Sequence, residues 1–110
     1  DILIKRLDDY QESLSNKRKI FIKIDVEGFE LEVLRGGQEF IKKSDFLYLE
    51  VRTINPIGCS FKEIYTFLDE RGWEFVGSYD NVFDERGVLL NFDALFINSS
   101  RININDLSKV

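Results

Sequence analysis

Carboxylates stand where two strand-like apolar runs give out. Asp25 and Glu27 follow Ile20-Phe21-Ile22-Lys23-Ile24, and Glu50 lies near the end of Phe46-Leu47-Tyr48-Leu49-Glu50-Val51. A carboxylate can orient a substrate hydroxyl by accepting its hydrogen bond, but it is poorly matched to an alcohol as a full base unless its pKa is raised. Three carboxylates gathered at one edge could instead hold a divalent cation through oxygen ligands. Lys23 and Arg52 would neutralise the same group, and this ion-pair reading is preferred to a metal. Asp25 has a further reading as a cap, because the first amide groups of a following helix favour a carboxylate. Capping and chemistry can coexist in one residue.

These side chains need elements to hold them. Ile20 to Ile24 is β-branched and aromatic, which predicts a strand covered on both faces of a parallel sheet. Alternation puts Phe21, Lys23 and Asp25 on one side and Ile20, Ile22 and Ile24 on the other. Phe29 to Arg35 reads as a helix, with Phe29 and Val33, and Leu31 and Leu34, at core spacings. Glu30, Glu32 and Arg35 then form its solvated face. Gly36-Gly37 is the expected stop, since glycine takes the left-handed cap conformation without steric cost. Gln38 to Lys43 makes another helical turn before a second strand, Phe46 to Val51.

Thr53 to Gly58 is a loop with the only proline. Ser60-Phe61-Lys62-Glu63 is a capping box, and Phe61, Ile64, Tyr65 and Leu68 trace one helical face up to Gly72. Trp73 to Val76 and Ala94 to Asn98 read as strands, antiparallel because no helix separates them. A turn-rich excursion over Asp80 to Asn91 joins the two. Upstream, Ile2-Leu3-Ile4 is a short strand. Leu7, Tyr10 and Leu14, with Asp8 and Gln11 as a capping box, predict a short helix, followed by a solvated Lys17-Arg18-Lys19 turn. Tyr48 and Trp73 are expected in the core.

Composition narrows the function classes. The 110 residues make one small domain or part of one. A net charge of −5 argues against a phosphate-coating surface, which would need clustered Lys and Arg, so no nucleic acid is expected. The single Cys59 cannot form an internal disulfide, which suits a reducing, cytoplasmic compartment. No run has the length of a membrane helix, so no membrane partner is expected. The chain has no Met and opens on Asp1, as a fragment or processed product would.

Lys23 to Gly37, KIDVEGFELEVLRGG, resembles the signature of the FkbM-type methyltransferases, which use S-adenosylmethionine. Leu7-Asp8-Asp9-Tyr10, Leu49-Glu50-Val51 and the closing Ala94-Leu95-Phe96-Ile97-Asn98 are similar to further segments of that family. The resemblance implies an α/β fold: the C-terminal half of a doubly wound, Rossmann-like, mostly parallel sheet ending in an antiparallel pair. It places the last strand between Phe46 to Val51 and Trp73 to Val76. It also implies catalytic roles for Asp25 and Glu27, and cofactor contacts from Asp25, Val26 and Gly28. Glu50, Arg52 and Thr53 would face the substrate, the hydroxyl of a sugar or small natural product. Two features that the family's fold implies are missing, a glycine-rich loop, since the seven glycines give no G-x-G-x-x-G pattern, and the acidic residue for the cofactor ribose, so the main cofactor contacts are expected upstream of Asp1.

Without that half, the strand at Ile20 to Ile24 would be an edge. It would then recruit a second copy or pair with Ile2 to Lys5. Two other classes remain open. Asp25 with Glu50-Val51-Arg52 weakly resembles the site of metal-dependent nucleases. A half-domain of this kind could also be a non-catalytic protein-interaction module.

Overall fold

The structure is a computed structural model that describes residues 2–6, 19–25, 28–54 and 58–105. The elements are β1 (Ile2–Arg6), β2 (Ile20–Ile24), α1 (Glu30–Gly36), α2 (Gln38–Ile41), β3 (Phe46–Arg52), α3 (Phe61–Asp69), β4 (Trp73–Phe83) and β5 (Leu89–Asn98). Among the described residues they make a mixed α/β fold with one five-stranded sheet, ordered β1-β2-β3-β5-β4. The α1–α2 crossover lets β2 and β3 run parallel, because a parallel pair needs a long return connection. The other three pairings are antiparallel. The expectation of a mostly parallel sheet is therefore corrected: β2–β3 is the one parallel pair described. β5 does insert between β3 and β4, as expected. The edge of β2 is taken by β1, with Ile2 opposite Ile24 and Arg6 opposite Ile20. The helix expected over residues 7–15 lies outside the described residues.

The core lies on one face of the sheet. Ile22, Ile24, Leu47, Leu49, Val51, Phe92, Ala94 and Phe96 are buried there with Leu31 and Leu34 of α1, Ile41 of α2 and Ile64 and Leu68 of α3. Full burial of each Leu or Ile contributes about 1.5–3 kcal/mol, so this face carries most of the driving force. The opposite face is different. Lys23 is exposed, and Phe21, Phe46 and Tyr48 are half-buried. Their rings form a run across the strands, with Phe21 centred 5.9 Å from Tyr48 and Tyr48 6.1 Å from Tyr79. So β2 is buried on one face, not on both, and Tyr48 sits outside the core, while Trp73 is buried as expected. The Tyr48 hydroxyl donates to Asp93 Oδ2 at 2.8 Å. Burial, then this bond, pushes its phenol up to about 12.

β4 and β5 are longer than their sequence suggests. The polar residues Ser78, Asp80, Asn91 and Asp93 have turn composition, but here Asn91 and Asp93 alternate with buried Phe92 and Ala94 on β5, and Ser78 and Asp80 lie on the exposed stretch of the edge strand β4. The connection is confined to Asp84–Val88, where Asp84 Oδ1 accepts the amides of Arg86 and Val88. Bulges between Phe75 and Gly77, and between Tyr79 and Val82, absorb the misfit, and Asp80 takes φ 50°.

At the end of the sheet away from the Asp25 corner, one side chain ties three strands. Asp45 accepts the Ile20 amide at 2.7 Å through Oδ2, and its Oδ1 accepts Arg101 Nε at 3.0 Å. Its own amide donates to the Ile20 carbonyl, and its carbonyl accepts the Asn98 amide, both at 2.9 Å. Asn98 Nδ2 adds bonds to the carbonyls of Ser44 and Lys42. Asp45 is 2% exposed, so its removal strands the Ile20 amide without an acceptor. Asp45→Ala should cost about 1–3 kcal/mol on that ground. Arg101 is 41% exposed and adds little. A shift in the urea midpoint of that size checks it; an unchanged midpoint would contradict the tie.

Candidate functional site

The parallel register decides which residues meet. Ile24 pairs with Leu49, so Asp25 and Glu50 follow side by side as the strands leave the pairing. Both are exposed, and alternation sets them on the open face with Lys23, Tyr48 and Arg52. The capping reading of Asp25 is corrected: α1 starts after Phe29, and no side chain caps it. Val26 and Glu27 lie outside the described residues, so the grouping of Glu27 with Asp25 and Glu50 is not described. Among the described residues no cluster of three or more His, Cys, Asp or Glu side chains is placed to hold a metal.

Behind this pair, two loops touch backbone to backbone. Gly28 has φ 87° and Gly58 φ 88°, a region that only glycine enters without strain. A Cβ on Gly58 would fall 1.9 Å from the Gly28 carbonyl oxygen. No other residue fits there unless backbone moves. The contact joins the turn after β2 to the loop after β3.

Glu30 reinforces that junction, and sequence reasoning missed it. Placed by periodicity on the solvated face of α1, it is 5% exposed. The Gly28 amide donates to its Oε1 at 3.1 Å and Oε2 at 3.3 Å, and Cys59 Sγ donates to Oε1 at 3.7 Å. Glu30 lies four residues before buried Leu34 and so on the same face, whereas Phe29, assigned to the core, precedes the helix and is 65% exposed. The available signal was a carboxylate in a first helical turn directly after a glycine corner. Burial pushes the Cys59 thiol up, a backbone hydrogen bond from Leu31 opposes it, and the charge of Glu30 and its hydrogen bond add to the rise. The S–H is thereby kept as a donor. A cavity of about 20 Å³, room for one water molecule, lies between Gly28, Glu30, Glu50, Arg52, Cys59 and Ile64.

The far side of the β3 loop is also pinned. Ser60 and Glu63 form the expected capping box on α3, with the Glu63 amide donating to Ser60 Oγ and the Ser60 amide to Glu63 Oε1. Arg52 is exposed. The Thr53 amide donates to the Leu90 carbonyl at 2.9 Å and its hydroxyl to the Leu89 carbonyl. Thr53 thus binds β5, and its hydroxyl is engaged within the protein. Gly36 and Gly37 do not make the expected left-handed cap. Gly37 has φ −109° and its amide donates to the Val33 carbonyl, leading straight into α2.

The family model for the methyltransferase FkbM domain matches residues 4–75. The chain belongs to the FkbM methyltransferase family. The FkbM match spans β1 into β4 and includes Asp25, Gly28, Glu30, Glu50, Arg52, Gly58 and Cys59. It bears out the resemblance first carried by Lys23 to Gly37. No curated protein and no solved structure matches the chain. Among the described residues no helix is long and apolar enough to cross a membrane.

Gly58→Ala combines a left-handed φ with a backbone clash. It should cost more than about 2 kcal/mol in urea unfolding, beyond the 1–2 kcal/mol that left-handed backbone alone costs an L residue. Gly36→Ala is the control: its added Cβ meets nothing within 4 Å, and it should stabilise the helix by about 0.5–1 kcal/mol. Equal effects at the two glycines would contradict the loop junction.

Proposed function

We propose that these residues form the C-terminal part of a Rossmann-like methyltransferase domain that uses S-adenosylmethionine to methylate a hydroxyl of a sugar or small natural product. The observation that carries this reading is the side-by-side exit of Asp25 and Glu50 from the parallel pair, within the FkbM span. In α/β sheets, ligands bind outside the carboxyl ends of parallel strands. The strand order, with β5 between β3 and β4, also supports the C-terminal part of a doubly wound sheet.

The residues present suit one end of the cofactor. An exposed carboxylate beside a glycine turn matches the charged amino-acid end of S-adenosylmethionine. The cavity of about 20 Å³ beside Glu30 is too small for a nucleoside, so we do not place adenosine in that cavity. When bound, the cofactor supplies a methyl group on a positively charged sulfur. The work left to this chain is positioning. Asp25 accepts a hydrogen bond from the acceptor hydroxyl or the cofactor ammonium and aligns it, which supplies much of the rate in a transfer of this kind. Glu50 and Arg52 stand beside it, toward the acceptor. Thr53 acts through the loop it holds to β5. The buried free thiol of Cys59 suits a reducing compartment, and we place the protein in the cytoplasm.

Asp25→Asn keeps size and removes charge. In the full-length enzyme it should lower methyl transfer about 10- to 100-fold, the scale of one hydrogen bond to a charged group. Transfer from methyl-labelled S-adenosylmethionine to a panel of sugar and natural-product hydroxyls measures it. Normal turnover by the variant would sink the role of Asp25.

A further inference from the structure

We propose that Glu30 is a positioning residue for the methyl-transfer site: its buried carboxylate clamps the turn after β2 to the loop after β3 and so fixes the corner that carries Asp25. The proposal rests on the reading of that corner as the cofactor-facing site. Glu30 touches neither the cofactor nor the acceptor in this account; it acts through Gly28 and Cys59.

The geometry gives each partner one task. Gly28 is three residues beyond Asp25, and its amide is held by both oxygens of Glu30. Oε1 also receives the Cys59 S–H, which comes from the loop after β3. The Gly28–Gly58 backbone contact leaves no slack between the two loops. A buried carboxylate is costly unless its oxygens are satisfied, and here the satisfaction comes from these two loops. If either loop swings away, a buried carboxylate loses a donor. The closed arrangement is therefore the one in which Glu30 is paired, and the carboxylate selects it.

This arrangement differs from a capping bond. No side chain caps α1, and Glu30 bonds backward to the turn instead of satisfying the helix's own first amides. It also differs from generic core packing, because a hydrophobic residue of similar size would fill the space and hold neither loop.

The thiol reports on the clamp without any cofactor present. Cys59 is 7% exposed and faces Glu30 at the start of α1, with Glu63 of α3 the other charge acting on it. In the full-length protein, alkylation of Cys59 by iodoacetamide, followed by peptide mass, should be at least tenfold faster in Glu30→Met, which keeps the size and removes the acceptor, than in the parent. Removing the Glu30 charge should also move the pH midpoint of that reaction downward, because the carboxylate disfavours the thiolate. Global loosening would speed alkylation but would bring a large drop in thermal midpoint with it. In parallel, S-adenosylmethionine is titrated calorimetrically into both proteins. The clamp predicts at least tenfold weaker binding by Glu30→Met at a thermal midpoint within a few degrees of the parent.

Cys59→Ser keeps a donor toward Glu30 and should bind S-adenosylmethionine more tightly than Cys59→Val, which removes it. This pair keeps the test decisive if Glu30→Met folds poorly. Unchanged Cys59 alkylation in Glu30→Met, or equal binding by the Ser and Val variants, would overturn the clamp. If the parent itself binds no S-adenosylmethionine, the cofactor reading fails and the alkylation result alone decides the clamp.

Discussion

The parallel pairing of β2 with β3 is the constraint on which the rest depends. An antiparallel pair would send the loops that follow these strands to opposite ends of the sheet. The parallel pair sends both to one end. Only then can Gly28 meet Gly58, Glu30 reach Cys59, and Asp25 stand beside Glu50. The register is held from the other end, where Asp45 bonds to Ile20 in both directions and passes the alignment to Asn98 of β5. A slip of one residue would turn Ile22 and Ile24 out of the core and take Asp25 off its face. The hydrophobic layer and the site are therefore aligned by the same hydrogen bonds.

The two ends of the sheet differ in kind. The Asp45 end is closed and internally satisfied, with Ser44, Asp45 and Asn98 all buried. The Asp25 end places exposed carboxylates over a buried polar junction. That division is physically sensible. A stable, fully bonded end can support an end whose charged groups stay accessible to ligands. The two faces divide in the same way. One is filled with aliphatic and aromatic side chains under α1 and α3. The other carries Lys23, Glu50, Arg52 and the aromatic run through Tyr48.

Much of this was legible in the sequence. The Ile20 to Ile24 and Phe46 strands, the Ser60–Glu63 box and the position of the last strand are set by local chemistry or by a long patterned motif. What escaped depends on contacts distant in sequence. Glu30 looked solvated because it is charged, yet it stands four residues before buried Leu34 and shares that face; Phe29 precedes the helix, so helical spacing does not place it. Gly58 looked like ordinary loop glycine, since its meeting with Gly28 exists only after β2 and β3 pair. The length of β4 and β5 was hidden because strands with one open face share the composition of turns. The mostly parallel sheet was implied by the family resemblance; the Ile2 to Lys5 strand was an expected partner for the edge of β2, but its antiparallel direction was not legible.

The account centres on Asp25 at the mouth of the parallel pair. A crystal structure of the full-length protein with S-adenosylhomocysteine tests this most directly. It should show the Asp25 carboxylate within hydrogen-bonding distance of the ligand's amino-acid end or of the space its missing methyl would enter. Ligand bound at another edge, with Asp25 facing only solvent, would contradict the account.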